Sequence, residues 1–191
     1  SKREMCVTAR NLAKERNLKE SSEFEPYVTY VFESYAHEQL PWAWSEKGKN
    51  LFRKMIGREL EPQFFGMNNY FDECHEGGEY NKLLETAWSI VVSRSWNEVL
   101  IPVYDMVNHR NGHWHNIDQV NSAHDGKDIA VVALRDIEAG EQLYLSYNEC
   151  NDYDCYGLAY EYTLPSIVAD YGFVEQYPRR FNFDIDEEML V

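Results

Sequence analysis

The spacing of the apolar residues changes near residue 99, and this change limits the possible folds more than any other feature of the sequence. Before residue 99, apolar side chains recur every three or four positions, as they do on the buried face of a helix. After it, they occur in short runs or alternate with polar residues, which is typical of strands. Helices first and short strands second predict an α+β fold, and not alternating βαβ units.

The helical spacing predicts four helices, with apolar residues in the ranges 6–18, 24–35, 51–56 and 83–91. The first carries many charges, so we expect a weakly amphipathic helix at the surface. The second has two possible starts, because Ser22 with Glu25 resembles a capping box while Pro26 suits a first turn that begins at Glu25. Ser45 is the expected cap of the third helix. The polar segment 67–79 is expected to be a loop.

Two strands are predicted in the second half of the chain. Residues 129–134 are all apolar, which favours a strand buried on both faces. Residues 143–147 alternate in character and predict a second strand, and with the turn at 138–141 between them the two are expected to pair like a hairpin. The other segments are a β-like run at 99–101, an irregular but tethered stretch at 105–125, a long connection at 148–163 and a short helix at 165–170.

Length and charge exclude several classes of protein. The chain has 191 residues, which suits one domain, and its 15% aromatic content argues against disorder. The net charge is -15, with +3 in residues 1–20 and -18 in residues 21–191. Such a balance argues against binding to nucleic acid or to an anionic membrane surface. No apolar run approaches the ~20 residues that a membrane-spanning helix needs, and the chain does not open like a signal peptide.

The cysteines predict an intracellular protein. Cys6, Cys74, Cys150 and Cys155 are too few for a disulfide scaffold in a chain of this length, so we expect reduced thiols in a reducing compartment. Cys150 and Cys155 have the spacing of half a zinc site, but a structural zinc site needs four ligands. Ordinary reduced thiols are therefore the favoured interpretation of this pair.

A second metal hypothesis rests on the polar segment after residue 104. Asp105, His109, His113 and His115 offer a carboxylate and three imidazoles, which are the ligands of a divalent-metal hydrolase. The intervening Asn-Gly pair would break a helical His-x-x-x-His arrangement, so we give this hypothesis little weight and expect no resident metal. The glycine-rich phosphate loops of Rossmann-type and P-loop proteins are not found in the sequence.

Four short motifs follow one another in the second half of the chain: Ser-Arg-Ser-Trp at 93–96, Ile-Pro-Val-Tyr-Asp-Met-Val-Asn-His at 101–109, Asp-Ile-Glu-Ala-Gly-Glu-Gln-Leu-Tyr-Leu-Ser-Tyr at 136–147 and Asp-Tyr-Gly-Phe at 170–173. Each motif alone has an ordinary structural explanation. Arg94 can compensate a helix C-terminus, Asn108 can cap a turn and Tyr147 can be a half-buried strand residue. Together and in this order, the motifs resemble the SET-domain methyltransferases. The nearest subgroup is similar to the plastid Rubisco large-subunit lysine methyltransferases, whose SET domain contains a helical insert.

The resemblance implies a SET-type fold of short strands and knotted loops. Residues 1–178 would form the SET domain, with the helical insert at about 22–92 and the C-terminal core at about 93–178. Residues 179–191 would be an acidic tail. The glycine-containing strand that opens the family's domain is not found before residue 22. We therefore expect the chain to lack the first strands of the SET domain.

The resemblance also implies that the cofactor is S-adenosylmethionine. Arg94 would meet the carboxylate of this cofactor, and Asp105, Asn108 and His109 would line its pocket. Asn108 would bind the methionine part and His109 would lie near the adenine. Phe173 would pack against the adenine.

The implied reaction is N-methylation of a lysine on a protein, with histidine as a variant acceptor within the subgroup. Tyr147 would lie at the site of methyl transfer and Tyr171 at the lysine channel. The strong negative charge fits a Lys-rich protein substrate attracted by long-range electrostatics. The expected location is intracellular, in the cytoplasm, the nucleus or a plastid. The alternative is a degenerate SET fold that binds a protein partner without catalysis.

Overall fold

The computed structural model describes residues 2–36, 40–56, 74, 81–121, 128–147 and 164–174, and the structural statements below concern these residues. The helices are α1 (Lys2–Leu18), α2 (Glu25–Ser34), α3 (Glu46–Ile56), α4 (Lys82–Arg94) and α5 (Leu164–Tyr171). The strands are β1 (Asn108–His109), β2 (Ile117–Gln119), β3 (Val131–Ala133) and β4 (Tyr144–Leu145). Helices α1 to α4 precede the strands and α5 follows them, so helices and strands are segregated along the chain as in an α+β fold. No helix in these ranges is long and apolar enough to cross a membrane.

The helical part of the molecule is built around α4. This helix buries one continuous apolar face against α1 and α2, and Ile90 and Val91 are fully buried there. It begins at a side-chain cap, because the Asn81 Oδ1 accepts hydrogen bonds from the backbone N–H groups of Leu83 and Leu84 at 3.0 and 3.3 Å. The predicted helix ending near residue 94 is confirmed, and Arg94 is its last residue.

Helix α1 corrects the prediction of a surface helix. Cys6, Ala9, Leu12 and Ala13 are buried, and α1 packs along α4. The buried face is made mostly of small side chains, which let two helices approach closely but contribute little to the apolar pattern of a sequence. The many charges of α1 therefore concealed a face that belongs to the core.

Two helix starts show how local chemistry sets the boundaries. Helix α2 begins at Glu25 with Pro26 in its first turn, which settles the open boundary. The N-cap is Phe24, which makes no side-chain cap bond, so the capping-box interpretation is wrong. The Ser22 hydroxyl accepts the Phe24 N–H at 3.1 Å and donates to the Glu15 carboxylate at 2.6 Å. The predicted cap of α3 is confirmed, because the Gly48 N–H donates to the Ser45 hydroxyl at 3.3 Å.

The strands pair differently from the predicted hairpin. β1 pairs with β4 in parallel, and β2 pairs with β3 in antiparallel orientation. The pairing of β4 with β1 is supported by Asn116, whose Oδ1 accepts the Tyr144 N–H at 2.8 Å and whose own N–H donates to the Tyr144 carbonyl at 3.2 Å. These contacts join residues 28 positions apart, so the spacing of residues within one strand could not indicate them.

Burial and extent of two other β segments also differ from the predictions. Val131 and Val132 are 45% and 40% exposed, so β3 is not buried on both faces; in the described chain it pairs only with β2. The run at 99–101 forms only an isolated bridge between Trp96 and Val99, because Asn97 and Glu98 adopt positive φ angles in a tight turn. The segment 105–125 holds 3₁₀ turns together with β1 and β2 where it is described.

Cys6 and Cys74 form a disulfide, with their Cα atoms 5.3 Å apart and both side chains buried. The expectation of reduced thiols is therefore wrong for this pair, because the fold brings together two residues that lie 68 positions apart. Cys6 and Cys74 therefore give no support to the predicted reducing compartment, because that prediction assumed free thiols. Cys150 and Cys155 lie outside the described residues, as do the loop at 67–79 apart from Cys74, the connection at 148–163 and the tail at 179–191.

Helix α5 confirms the short helix predicted at 165–170. It packs against α4, and its Ala169 forms a small buried cluster with Phe52 of α3. Gly172 follows with a φ of +75°, and its N–H donates to the Val168 carbonyl at 3.0 Å. This left-handed residue ends the helix and turns the chain toward Phe173.

Candidate active site

Two adjoining pockets lie where α4 ends and the strand region begins. Both are lined by the same five residues, namely Ser93, Arg94, Asp105, Tyr147 and Tyr171. We call the first the tryptophan pocket, because Trp96, Tyr104 and Gln119 complete its wall. We call the second the phenylalanine pocket, because Tyr30, Asn108 and Phe173 complete its wall.

The fold therefore gathers every candidate site residue taken from the resemblance. Six of the seven line the pockets, and they are Arg94, Asp105, Asn108, Tyr147, Tyr171 and Phe173. The seventh, His109, is buried next to them, with its ring centroid 5.1 Å from that of Tyr147 and 5.7 Å from that of Phe173. Their roles toward a cofactor or substrate stay predictions.

The pairing of β1 with β4 positions Tyr147. His109 lies opposite Leu145 in the parallel register, and the Arg110 N–H donates to the Leu145 carbonyl at 2.9 Å. Two residues beyond Leu145, the Tyr147 N–H donates to His109 Nδ1 at 2.9 Å. Because Nδ1 accepts this bond, it carries no proton. Successive residues of a strand point to opposite faces, so Asn108 is exposed at the pocket while His109 is buried.

The phenol of Tyr147 is held as a hydrogen-bond donor. Its hydroxyl donates to the Val107 carbonyl, and its ring lies 4.5 Å from that of Tyr171. Burial, with a smaller contribution from Tyr171, raises the pKa of Tyr147 well above its ordinary value of 10.0. The phenol therefore stays protonated near neutral pH. It can orient other groups but cannot act as a general base.

Arg94 and Asp105 form the charged part of the shared wall. The guanidinium Nη1 of Arg94 lies 3.8 Å from Asp105 Oδ2 and donates to the Asp105 backbone carbonyl at 3.3 Å. The Asp105 side chain is only 1% exposed, and burial raises its pKa, while Tyr27 and Arg94 act in the opposite direction. Its second oxygen, Oδ1, is buried with no hydrogen-bond partner in the described structure. An unpaired buried carboxylate oxygen beside a pocket is suited to a hydrogen-bond donor on a ligand.

The sequence did not identify several contacts at the site, which involve Tyr27, Tyr30, Tyr104 and Gln119. Tyr27 donates a hydrogen bond to Asp105 Oδ2 at 2.9 Å, and the Tyr30 ring lies 5.9 Å from the Arg94 guanidinium carbon. Tyr104 donates to Gln119 Oε1, and burial raises the pKa of Tyr104 to about 12. Tyr27 lies within the apolar pattern of α2, where a buried tyrosine hydroxyl needs a partner, so a signal for it existed.

The metal hypothesis receives no support from the described part of the chain. No three His, Cys, Asp or Glu side chains come together there as a metal site. Asp105 accepts a hydrogen bond from the Tyr27 hydroxyl, and His109 accepts one from the Tyr147 N–H. The His113 ring lies against Trp114, and His115 is buried.

Comparisons with known proteins place these observations in a family. A search of curated proteins found no match, and neither did a search of solved structures. The family model for the SET domain matches residues 3–148, which includes α1 to α4 and all four strands. Because that match covers most of the chain and the motif residues converge on one site within the same fold, the chain belongs to the SET-domain family.

Proposed function

We propose that this protein is an S-adenosylmethionine-dependent N-methyltransferase that acts on a lysine of a protein substrate. SET-domain proteins are generally protein lysine methyltransferases that use this cofactor. The observation that carries the proposal for this chain is the convergence of Arg94, Asp105 and Asn108 with three aromatic residues on one pair of pockets. The helices α2 to α4 also support a place in the subgroup with a helical insert.

The phenylalanine pocket offers groups that fit S-adenosylmethionine. The amino-acid end of this cofactor carries a carboxylate and an ammonium group. The Arg94 guanidinium would hold the carboxylate, and the unpaired Oδ1 of Asp105 would accept a hydrogen bond from the ammonium. Asn108 and Phe173 would line the remainder, with His109 packed near Phe173.

Tyr147 would guide the reaction without exchanging a proton. The cofactor supplies a methyl carbon on a positively charged sulfur, so an uncharged amine can form the new N–C bond as the C–S bond breaks. Tyr147 is a buried, protonated phenol tied to the Val107 carbonyl, so its oxygen has a defined position at the junction of the two pockets. Its contribution would be alignment and electrostatics.

The tryptophan pocket would receive the acceptor side chain. Aromatic walls from Trp96, Tyr104 and Tyr171 suit the aliphatic stem and terminal nitrogen of lysine. Removal from water favours the uncharged amine, because burial lowers a lysine pKa. The net charge of -15 would attract Lys-rich segments of a substrate from a distance.

Calorimetry of the whole chain with S-adenosylmethionine tests the cofactor site. We expect binding by the unchanged protein and binding about tenfold weaker in Arg94→Lys, because lysine cannot reproduce the two-pronged guanidinium contact. Arg110→Lys is the matched control. Arg110 lies 4.1 Å from the Trp114 ring and outside both pockets, so its replacement should leave the affinity unchanged. No binding by the unchanged protein, or equal affinity in Arg94→Lys, would contradict the proposal.

Methylation assays with labelled cofactor test the chemistry. Tyr147→Phe should lower kcat about 100-fold, as loss of one oriented polar group at a reacting centre does, while cofactor affinity changes less than about threefold. A lysine-rich peptide and its counterpart with histidine at the acceptor position distinguish the two acceptors. Peptide binding without any methyl transfer would favour the non-catalytic module instead.

A further inference from the structure

We propose that Tyr27 of α2 is a positioning residue, whose hydroxyl holds the buried carboxylate of Asp105 and thereby leaves the Arg94 guanidinium available to a ligand. The inference rests on the function proposed above, because it concerns the same site. Tyr27 lines neither pocket, and its hydroxyl contact with Asp105 is the route by which it would act on binding.

The contact itself is long-range in sequence and short in space. The Tyr27 hydroxyl donates to Asp105 Oδ2 at 2.9 Å, across 78 positions of the chain. No other described side chain donates to this carboxylate within hydrogen-bond distance, since Arg94 Nη1 is 3.8 Å away and Oδ1 has no partner. A buried carboxylate with a single side-chain donor depends strongly on that donor.

Helix α2 is held firmly enough to define where this hydroxyl lies. Val28 and Val31 are buried in the helical core on one face of α2. On another face, the Arg16 guanidinium of α1 donates to the Thr29 hydroxyl at 2.9 Å. Tyr30, three residues after Tyr27, packs on Arg94. Helix α2 therefore contacts both members of the charged pair, with Tyr27 on the Asp105 carboxylate and Tyr30 on the Arg94 guanidinium.

Loss of the Tyr27 hydroxyl would change which group the Arg94 guanidinium binds. Asp105 Oδ2 would then have Arg94 as its nearest cation, and the guanidinium would turn from its present 3.8 Å toward a direct ion pair. A guanidinium engaged in that way is less available to the carboxylate of a ligand. The expected consequence is weaker cofactor binding without the loss of any direct contact to the cofactor.

The same bond affects the protonation of Asp105. The titratable groups that face it are Tyr27 from α2, Arg94 from α4 and Tyr147 after β4. Burial raises the pKa of Asp105, whereas the hydrogen bond from Tyr27 and the charge of Arg94 lower it. Removing the Tyr27 hydroxyl takes away one of these two lowering effects, while a direct ion pair with Arg94 would strengthen the other, so the Arg94 guanidinium reports the change more directly than the Asp105 pKa does.

The test compares Tyr27→Phe with Tyr144→Phe in the whole chain. Tyr144 makes an equivalent hydroxyl bond, to Gln142 at 2.8 Å, but at the surface. Nitrogen-15 NMR of the Arg94 guanidinium without cofactor should show slowed rotation about its Cζ–N bonds in Tyr27→Phe alone, as a new ion pair with Asp105 implies. Calorimetry should show S-adenosylmethionine bound about tenfold more weakly in Tyr27→Phe, as loss of one charge-assisted hydrogen bond implies, and unchanged binding in Tyr144→Phe.

The two readouts separate this inference from the function on which it rests. Absence of cofactor binding in the unchanged protein would reject the proposed function, while the Arg94 guanidinium signals would still test the Tyr27 contact. Unchanged Arg94 guanidinium signals, or an unchanged cofactor affinity, in Tyr27→Phe would overturn the inference. If Tyr27→Phe does not fold, Asp105→Ala, which removes both acceptor oxygens, examines the bond from its other end. The Tyr27 hydroxyl proton should then lose its downfield NMR shift, and a retained shift would equally overturn the inference.

Discussion

The helical and strand parts of this molecule are held together by different forces. Around α4, the buried side chains are almost all apolar, and Val31, Ile90 and Val91 have no exposed surface. Around β1 to β4, the most deeply buried side chains include Asn111 and Asn116, at 1% and 0% exposure. The strand part therefore relies on directional hydrogen bonds where the helical part relies on apolar burial.

This difference suits the position of the site. Apolar packing is tolerant of small shifts, whereas a hydrogen-bonded network requires its donors and acceptors to lie within narrow limits of distance and angle. The site takes Arg94 from the end of the helical part and Asp105, Asn108 and Tyr147 from the hydrogen-bonded part. Its polar groups are thus oriented by polar contacts, on a support provided by apolar ones.

The largest effect on stability is expected at Asn116. Its side-chain amide accepts a hydrogen bond from the Tyr144 N–H at 2.8 Å and donates one to the Gln142 carbonyl at 2.9 Å. Both backbone groups lose this partner in Asn116→Ala. We expect a loss of about 3 kcal/mol in the free energy of unfolding, measured with denaturant. The control is Asn121→Ala, since Asn121 makes one exposed bond to the Asp128 carbonyl. Equal losses of unfolding free energy in the two variants would contradict the view that the strand part depends on its buried hydrogen bonds.

A slightly smaller effect is expected for one apolar deletion made in each part. Val91 of α4 is fully buried, and Val132 of β3 is 40% exposed. Val91→Ala should lower the free energy of unfolding by about 2 kcal/mol through lost burial and the cavity left behind. Val132→Ala should cost less than about 0.5 kcal/mol. The comparison fails if Val132→Ala proves as costly as Val91→Ala.

The smallest effect is a dependence of stability on pH at the turn before β4. The side-chain hydrogen bond from Arg135 lowers the pKa of Glu141 from 4.5 to about 2. A carboxyl whose pKa is lowered by folding contributes stability above pH 4.5, and that contribution is lost as the pH falls toward about 2. Glu141→Gln should therefore be less stable than the unchanged protein at pH 7, with the difference shrinking over this window.

Thermal unfolding at several pH values measures this dependence. Glu138→Gln removes a neighbouring charge of the same turn while leaving the bonds between Arg135 and Glu141 in place. It should not reproduce the shrinking difference. A constant gap between Glu141→Gln and the unchanged protein across the window would show that the ion pair does not stabilise the turn.

Local patterns predicted the helices well because a helix is determined by residues three and four positions apart. The end of α4 at Arg94, the Ser45 cap and the short α5 all followed from such patterns. Helix α1 was misjudged because its buried face is made of small residues. The error concerned its packing and not its existence, since packing depends on a partner helix far along the chain.

The motif residues of the site were recognisable in order, but their arrangement was not. Arg94, Asn108 and Tyr147 could be named from short sequence motifs that resemble one family. Nothing in those motifs indicated that Tyr27 would reach Asp105 or that Tyr104 would pair with Gln119. Both contacts join an aromatic hydroxyl to a polar side chain on another element.

The sequence by itself determined the order of helices and strands, the end of α4 and the family to which the motifs point, because each depends on neighbouring residues. Only the tertiary structure decided which strands pair, that Cys6 meets Cys74 and that Asp105 is held by Tyr27. These contacts join residues that are between 12 and 78 positions apart. Their formation depends on how the helical core places its surfaces, and no local spacing of residues carries that information.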